Sequence, residues 1–179
     1  MAMALMIYNL FLRLISFVLV LFGKNRNYIV FESFPDYSGS PKMICLELEK
    51  RGFRSKYHFV WAIDKDQRNL YKDYECVPFW GNLKFLERLK KNLIVWNSIL
   101  IVDSNRSVCR FNKKTIRFFC RHGGNLKSCT RYIQSLGSMD YVLSLSYEMA
   151  DIDYREFKGA CISQKEQVLT LGFPSNDEL

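Results

Sequence analysis

Residues 82–103 change their period in mid-run: NLKFLERLKKNLIVWNS is followed at once by ILIVD. In the first stretch Phe85, Leu86, Leu89, Leu93 and Trp96 recur at helical spacing and predict an amphipathic helix over 82–98. In the second, Ile99 to Val102 are unbroken apolar and predict a short strand covered on both faces. A helix that delivers the chain straight into a doubly buried strand is a βαβ unit. That unit restricts the chain to folds built on a parallel sheet, because only a crossover connection joins parallel neighbours.

The same alternation runs through the rest of the chain. YIVFESF (28–34) predicts a strand feeding a loop at Pro35, and the turn residues of PDYSGSP lead to Ser40 as N-cap and Pro41 in the first turn. A helix follows through KMICLELEKRGF and stops at Gly52. YHFVWAI (57–63) predicts the next strand, and a shorter one around Cys76 and Val77 ends before Pro78. TIRFFC (115–120), YVLSLS (141–146) and QVLTLGF (167–173) predict three more, with YEMADIDYREF (147–157) as the helix before the last. No internal repeat or low-complexity tract interrupts the pattern. With 179 residues, 49% of them hydrophobic, the chain has apolar surface for one core, and the pattern predicts a doubly wound, Rossmann-like α/β domain.

ALMIYNLFLRLISFVLVLFG (4–23) stands outside that alternation. Asn9 and Arg13 interrupt the run of about 18 apolar residues that a spanning helix needs. Asn9, Arg13 and Ser16 fall at i, i+4 and i+7, one narrow stripe of a helix, with Leu10, Phe11, Leu14, Ile15, Val18 and Phe22 around the rest. The pattern predicts a helix lying in the membrane plane, with Lys24 and Arg26 placed for anionic headgroups; a single span and an ordinary buried helix are the alternatives. The marks of a cleaved signal peptide, an early basic region and a small-residue cleavage site, are missing. Cysteines at 45, 76, 109, 120, 129 and 161 form no CxxC pair and point to reduced thiols on the cytosolic side.

The net charge of +8 is concentrated in residues 1–120, which carry twenty Lys/Arg against ten Asp/Glu. Between Asp103 and Asp140 no acidic residue occurs, while Arg106, Arg110, Lys113, Lys114, Arg117, Arg121, Lys127 and Arg131 all do. Such a run suits phosphates; a solvated basic loop is the plainer alternative. Nucleic acid is not expected as a partner, since beyond Phe111, Phe118 and Phe119 the run interleaves few aromatic residues.

His122 follows the 115–120 strand by two residues, and ligand sites in doubly wound sheets lie beyond the carboxyl ends of strands. Gly123 and Gly124 let the backbone turn closely there and present N–H groups to an anion; Lys127 adds a point charge, and Arg117 and Arg121 are further candidate phosphate contacts. An imidazole titrates near neutrality and suits a general base toward a hydroxyl nucleophile; a hydrogen-bonded turn histidine is the alternative. Cys120, His122 and Cys129 match no common zinc spacing, so no metal is expected. No dinucleotide or P-loop glycine motif occurs.

Taken in order and spacing, YIVFESFPDYSGSPKMICLELEKRG, WAI, ILIVDSN, RHGGNLK, DYVLSLSYEMADIDYREF and LGFPSNDEL resemble the N-terminal half of the CDP-glycerol glycerophosphotransferase family of teichoic-acid enzymes, over residues 28–179. The resemblance implies a membrane-associating helix at 1–23 and, over 24–179, the N-terminal, acceptor-side Rossmann-like domain of a GT-B glycosyltransferase-like fold. The donor-binding domain is expected to be absent from this chain, which is then a fragment, a split-gene product completed by a second chain, or a degenerate relative. The implied reaction is transfer of glycerol phosphate from CDP-glycerol, a donor substrate rather than a cofactor, to a lipid-linked or anionic polymeric acceptor at the cytoplasmic membrane face. His122 matches the family histidine credited with deprotonating the acceptor hydroxyl, and Gly123, Leu126 and Lys127 match the rest of its motif. Gly172, Pro174, Asn176 and Asp177 match the later G-Y-P-R-N-D motif. Arg121, Gly124, Asn125 and Ser175 stand where the family has Trp, Thr, Pro and Arg. The alternative function is a non-catalytic module that docks on a membrane or an anionic polymer.

Overall fold

The computed structural model describes residues 2–22, 27–64, 73–105, 108–121 and 136–176. Strands β1 (Tyr28–Phe31), β2 (His58–Asp64), β3 (Glu75–Trp80), β4 (Ser98–Asp103), β5 (Ile116–Phe119), β6 (Tyr141–Ser144) and β7 (Val168–Thr170) form one sheet in the order β3-β2-β1-β4-β5-β6-β7. Every neighbouring pair is parallel. This is the expected doubly wound Rossmann-like arrangement, with the order reversing between β1 and β4.

Alternate residues of the strands build two cores. Ile29, Phe31, Phe59, Trp61, Val102 and Leu143 face α2 (Gly39–Lys50) and bury Cys45 and Phe173. Val30, Val60, Ala62 and Ile101 face the other way, onto Ile94 and Val95 of α3 (Phe85–Trp96). Further along, Phe119 and Val142 pack under Ala150 and Phe157 of α4 (Tyr147–Phe157). Helices therefore cover both faces, which is why the central strands are apolar without alternation. Trp61 and Phe31 are fully buried with ring centroids 5.3 Å apart, and each such side chain contributes about 1.5–3 kcal/mol.

Several boundaries differ from the sequence expectation. The N-cap of α2 is Ser38, not Ser40; its hydroxyl donates to the Pro35 carbonyl, and Pro41 remains in the first turn, where a missing N–H costs nothing. β3 continues through Pro78 to Trp80, because β3 is the edge strand and a proline there leaves no ladder bond unmade. The runs predicted as strands around β1, β5, β6 and β7 outlast the strands themselves; after β7 the chain turns at Gly172, which has φ +73°.

The N-terminal segment is a helix, α1 (Ala2–Phe22), and no helix among the described residues is long and apolar enough to cross a membrane. α1 packs along α3 through its polar stripe. Leu12 and Ser16 are buried, the Asn9 amide accepts a hydrogen bond from Arg88, and Phe17 meets Trp96 with centroids 5.1 Å apart. The polar residues thus mark the protein-facing side, and Met6, Ile7, Leu10, Phe11, Leu14 and Leu21 are each more than half exposed.

Candidate functional site

Parallel strands end on a common edge, so the residues following β1, β2, β4, β5 and β7 converge there. Between β1 and β4 the reversal of strand order opens the crevice at which doubly wound sheets bind ligands. Glu32 bridges it. Its fully buried carboxylate accepts the backbone N–H groups of Ser104 at 3.1 Å and Asn105 at 2.9 Å. Beside it, the Ser33 hydroxyl accepts the Ser38 N–H at 2.9 Å and donates to the Pro35 carbonyl at 2.9 Å, which ties down the β1–α2 loop. Asp36 of that loop accepts the Asp64 N–H at 3.3 Å. Glu32, Ser33, Asp36, Ser104 and Asn105 lie in the YIVFESFPDYSGSP and ILIVDSN stretches, and it is the strand order that brings the two together.

β5 carries the chain toward His122. The Cys120 N–H donates to the Asp103 carbonyl at 2.7 Å, holding the chain against β4 beyond the last residue of β5. Arg121 is buried. Its guanidinium bonds Asp153 of α4, lies 3.8 Å from Glu156 and sits 5.2 Å over the Phe157 ring, so the residue immediately before His122 is fastened to α4. His122, Gly123, Gly124 and Lys127 themselves lie outside the described residues, as does Asp177. Of the second motif, Gly172 precedes a buried Phe173, and Pro174–Asn176 form a single 3-10 turn.

The basic run changes character on folding. Arg117, 2% exposed, is bonded through Nη2 and Nε to Asp103 at 2.6 and 3.0 Å and donates to the Leu136 carbonyl. Arg110 pairs with Asp140, as Arg121 does with Asp153. Three arginines that look uncompensated along the sequence are therefore met by carboxylates from elsewhere in the fold, while Lys113 and Lys114 are exposed. Burial pushes the Asp103 carboxyl up, with the Arg117 guanidinium opposing it. Cys120 is fully buried and its thiol is pushed well above the ordinary range, which makes it a packing residue rather than a nucleophile. Among the described residues no group of three His, Cys, Asp or Glu is arranged to hold a metal ion, and His122 and Cys129 are outside that set.

A parallel sheet with a crevice at its reversal point, and a loop fastened just before the histidine, define a Rossmann-like domain whose ligand edge is the carboxyl edge. The sequence model of the CDP-Glycerol:Poly(glycerophosphate) glycerophosphotransferase family matches residues 13–179, and the chain belongs to that family. Among solved structures it is similar to the wall teichoic acid polymerase TagF, with a TM-score of 0.64 and 19% identity over 96% of this chain and 48% of that one. A TagF variant with a histidine replaced by asparagine matches with the same figures, and the same variant soaked with CDPG gives a TM-score of 0.62 at 19% identity, over 96% and 49% of the two chains. These likenesses show a shared fold. The chain spans about half the length of the structures it matches. No curated protein matches it significantly.

Proposed function

We propose that this chain is the acceptor-side domain of a membrane-associated CDP-glycerol glycerophosphotransferase of cell-wall or capsular polysaccharide synthesis. The observation that carries the reading is the family match over residues 13–179, which includes both the His122 motif and the GFPSND run. An acceptor hydroxyl attacks the β-phosphorus of CDP-glycerol, a new phosphoester bond forms as the bond to CMP breaks, and the hydroxyl proton passes to the His122 imidazole. Gly123 and Gly124 offer backbone N–H groups, and Lys127 a charge, to the phosphate.

Arg117 and Arg121, expected as phosphate contacts, take positioning parts in this reading, because both guanidiniums are already bonded to carboxylates inside the domain. The donor-binding half comes from a further domain or a second chain. The exposed leucines of α1 support placement on the cytoplasmic membrane face, where a lipid-linked acceptor resides.

The test is transfer from labelled CDP-glycerol to a membrane-bound acceptor, with a donor-binding domain supplied. His122→Ala is expected to lose at least about 100-fold in turnover. Unchanged turnover sinks the assignment of the base. Vesicle binding without any transfer favours the non-catalytic module, the reading that the outward apolar face of α1 also suits.

A further inference from the structure

α1 and α3 enclose a cavity of about 280 Å³, closed at its sides by the end of β3 and the segment after β4. Asn9 and Arg13 contribute from α1, and Arg88, Lys91 and Asn92 from α3. Arg13 lies 4.6 Å over the Phe111 ring. Arg88 donates to the Leu83 carbonyl at 3.0 Å and to Asn9 Oδ1 at 3.3 Å, and Lys91 donates to the Phe79 carbonyl at 2.7 Å. Among the described residues, none of the three cations meets a carboxylate and no Asp or Glu lines the cavity. Asn92 is only 9% exposed, yet its side-chain amide makes no hydrogen bond with a described residue.

Grouping like charges in one cavity is costly unless an anion joins them, and the Asn92 amide offers that anion a further donor. Burial, together with the cations of Arg88 and Arg13, holds Lys91 below the usual lysine range, a strain that a bound anion relieves. The volume lies just under the roughly 300–1,000 Å³ of sites for drug-sized ligands, which suits a headgroup better than a nucleotide. The helix that walls the cavity carries Leu10, Leu14 and Leu21 on its outer side, more than half exposed.

We propose that this cavity binds the phosphate of an anionic glycerophospholipid, whose headgroup enters between α1 and α3 while its acyl chains stay with the bilayer that meets the outer face of α1. The proposal rests on the membrane-facing reading of α1 and adds to it a specific lipid class. The phosphate accepts from Arg13, Arg88, Lys91 and the Asn92 amide.

Cosedimentation of the chain with phosphatidylcholine vesicles, with and without phosphatidylglycerol, tests it. Arg88→Gln/Lys91→Gln is expected to weaken binding to the anionic vesicles by about tenfold or more. Lys113→Gln/Lys114→Gln, which removes the same charge from an exposed site, is expected to weaken it by less than about threefold. Equal losses in the two double variants overturn the proposal. A second measurement uses soluble dihexanoylphosphatidylglycerol below its micelle concentration. It is expected to raise the melting temperature of the chain, an effect lost in Arg13→Gln, a substitution at an exposed residue of α1. A rise produced equally by inorganic phosphate identifies a free-phosphate site and overturns the lipid assignment. If no vesicle is bound but the short-chain lipid still stabilises the chain, the headgroup site stands and the membrane reading of α1 falls.

Discussion

The two carboxylates that bound the acid-free run, Asp103 and Asp140, both close on Arg117: one on its guanidinium at 2.6 Å, the other on its backbone N–H at 2.8 Å. Arg88 shows the reverse, standing next to Glu87 in sequence while its guanidinium meets only neutral acceptors. Charge along a chain is thus a poor guide to charge in space, because β-pairing and helix docking bring in partners from 14 to 32 residues away. Replacing Arg117 with Met leaves Asp103 buried without its partner and is expected to cost about 3–5 kcal/mol near neutral pH. Loss of the guanidinium lets burial raise the Asp103 carboxyl further above its unfolded value. The folded state then holds the proton more tightly, so stability falls as pH rises between the two values, and the penalty shrinks toward acid. Urea midpoints of both proteins near pH 7 and at about pH 5 check this; a deficit that grows toward acid contradicts it.

Among the elements, those read most directly from sequence are the ones buried on both faces. β4 and the core of β2 are unbroken apolar runs; α4, covered on one side only, occupies Tyr147–Phe157 as predicted, with Ser146, read as the end of a strand, capping it by accepting the Met149 N–H. The second half of β3 was hidden by Pro78, since being an edge strand is a property of the assembled sheet. α1 was legible as an amphipathic helix, but periodicity does not say which side is turned to the protein. The structure makes that choice testable. Leu12, 1% exposed against α3, is expected to cost about 2–5 kcal/mol when replaced by Ala. Leu14→Gln, two residues on and on the outer side, is expected to change stability by no more than about 0.5 kcal/mol while weakening vesicle binding. Chemical denaturation and vesicle cosedimentation of the two variants separate the roles. Of the candidate site, the strand that leads to His122 could be read in the sequence, whereas the position of Glu32 and the Arg88–Lys91–Asn92 grouping required the strand order and the docking of α1.

At the scale of the whole molecule, the excess positive charge belongs to the part of the chain that includes α1 and α3. Residues 121–179 carry six basic against eight acidic residues. With Arg13, Arg88 and Lys91 gathered between α1 and α3, the domain is expected to approach an anionic bilayer with its α1 side leading, because each basic residue near such a surface contributes about 1 kcal/mol and the attraction fades within about 8 Å at physiological ionic strength. Two components then hold it, and salt separates them. Raising ionic strength to about 1 M shortens the screening length to about 3 Å and removes most of the long-range attraction, so binding to phosphatidylglycerol vesicles is expected to drop steeply. Binding to phosphatidylcholine alone rests on the outer leucines of α1 and is expected to hold or strengthen slightly under the same change, since burial of apolar surface is not screened. Binding to anionic vesicles that is indifferent to salt would mean that the charged part of the domain faces away from the membrane, and that α1 alone makes the contact.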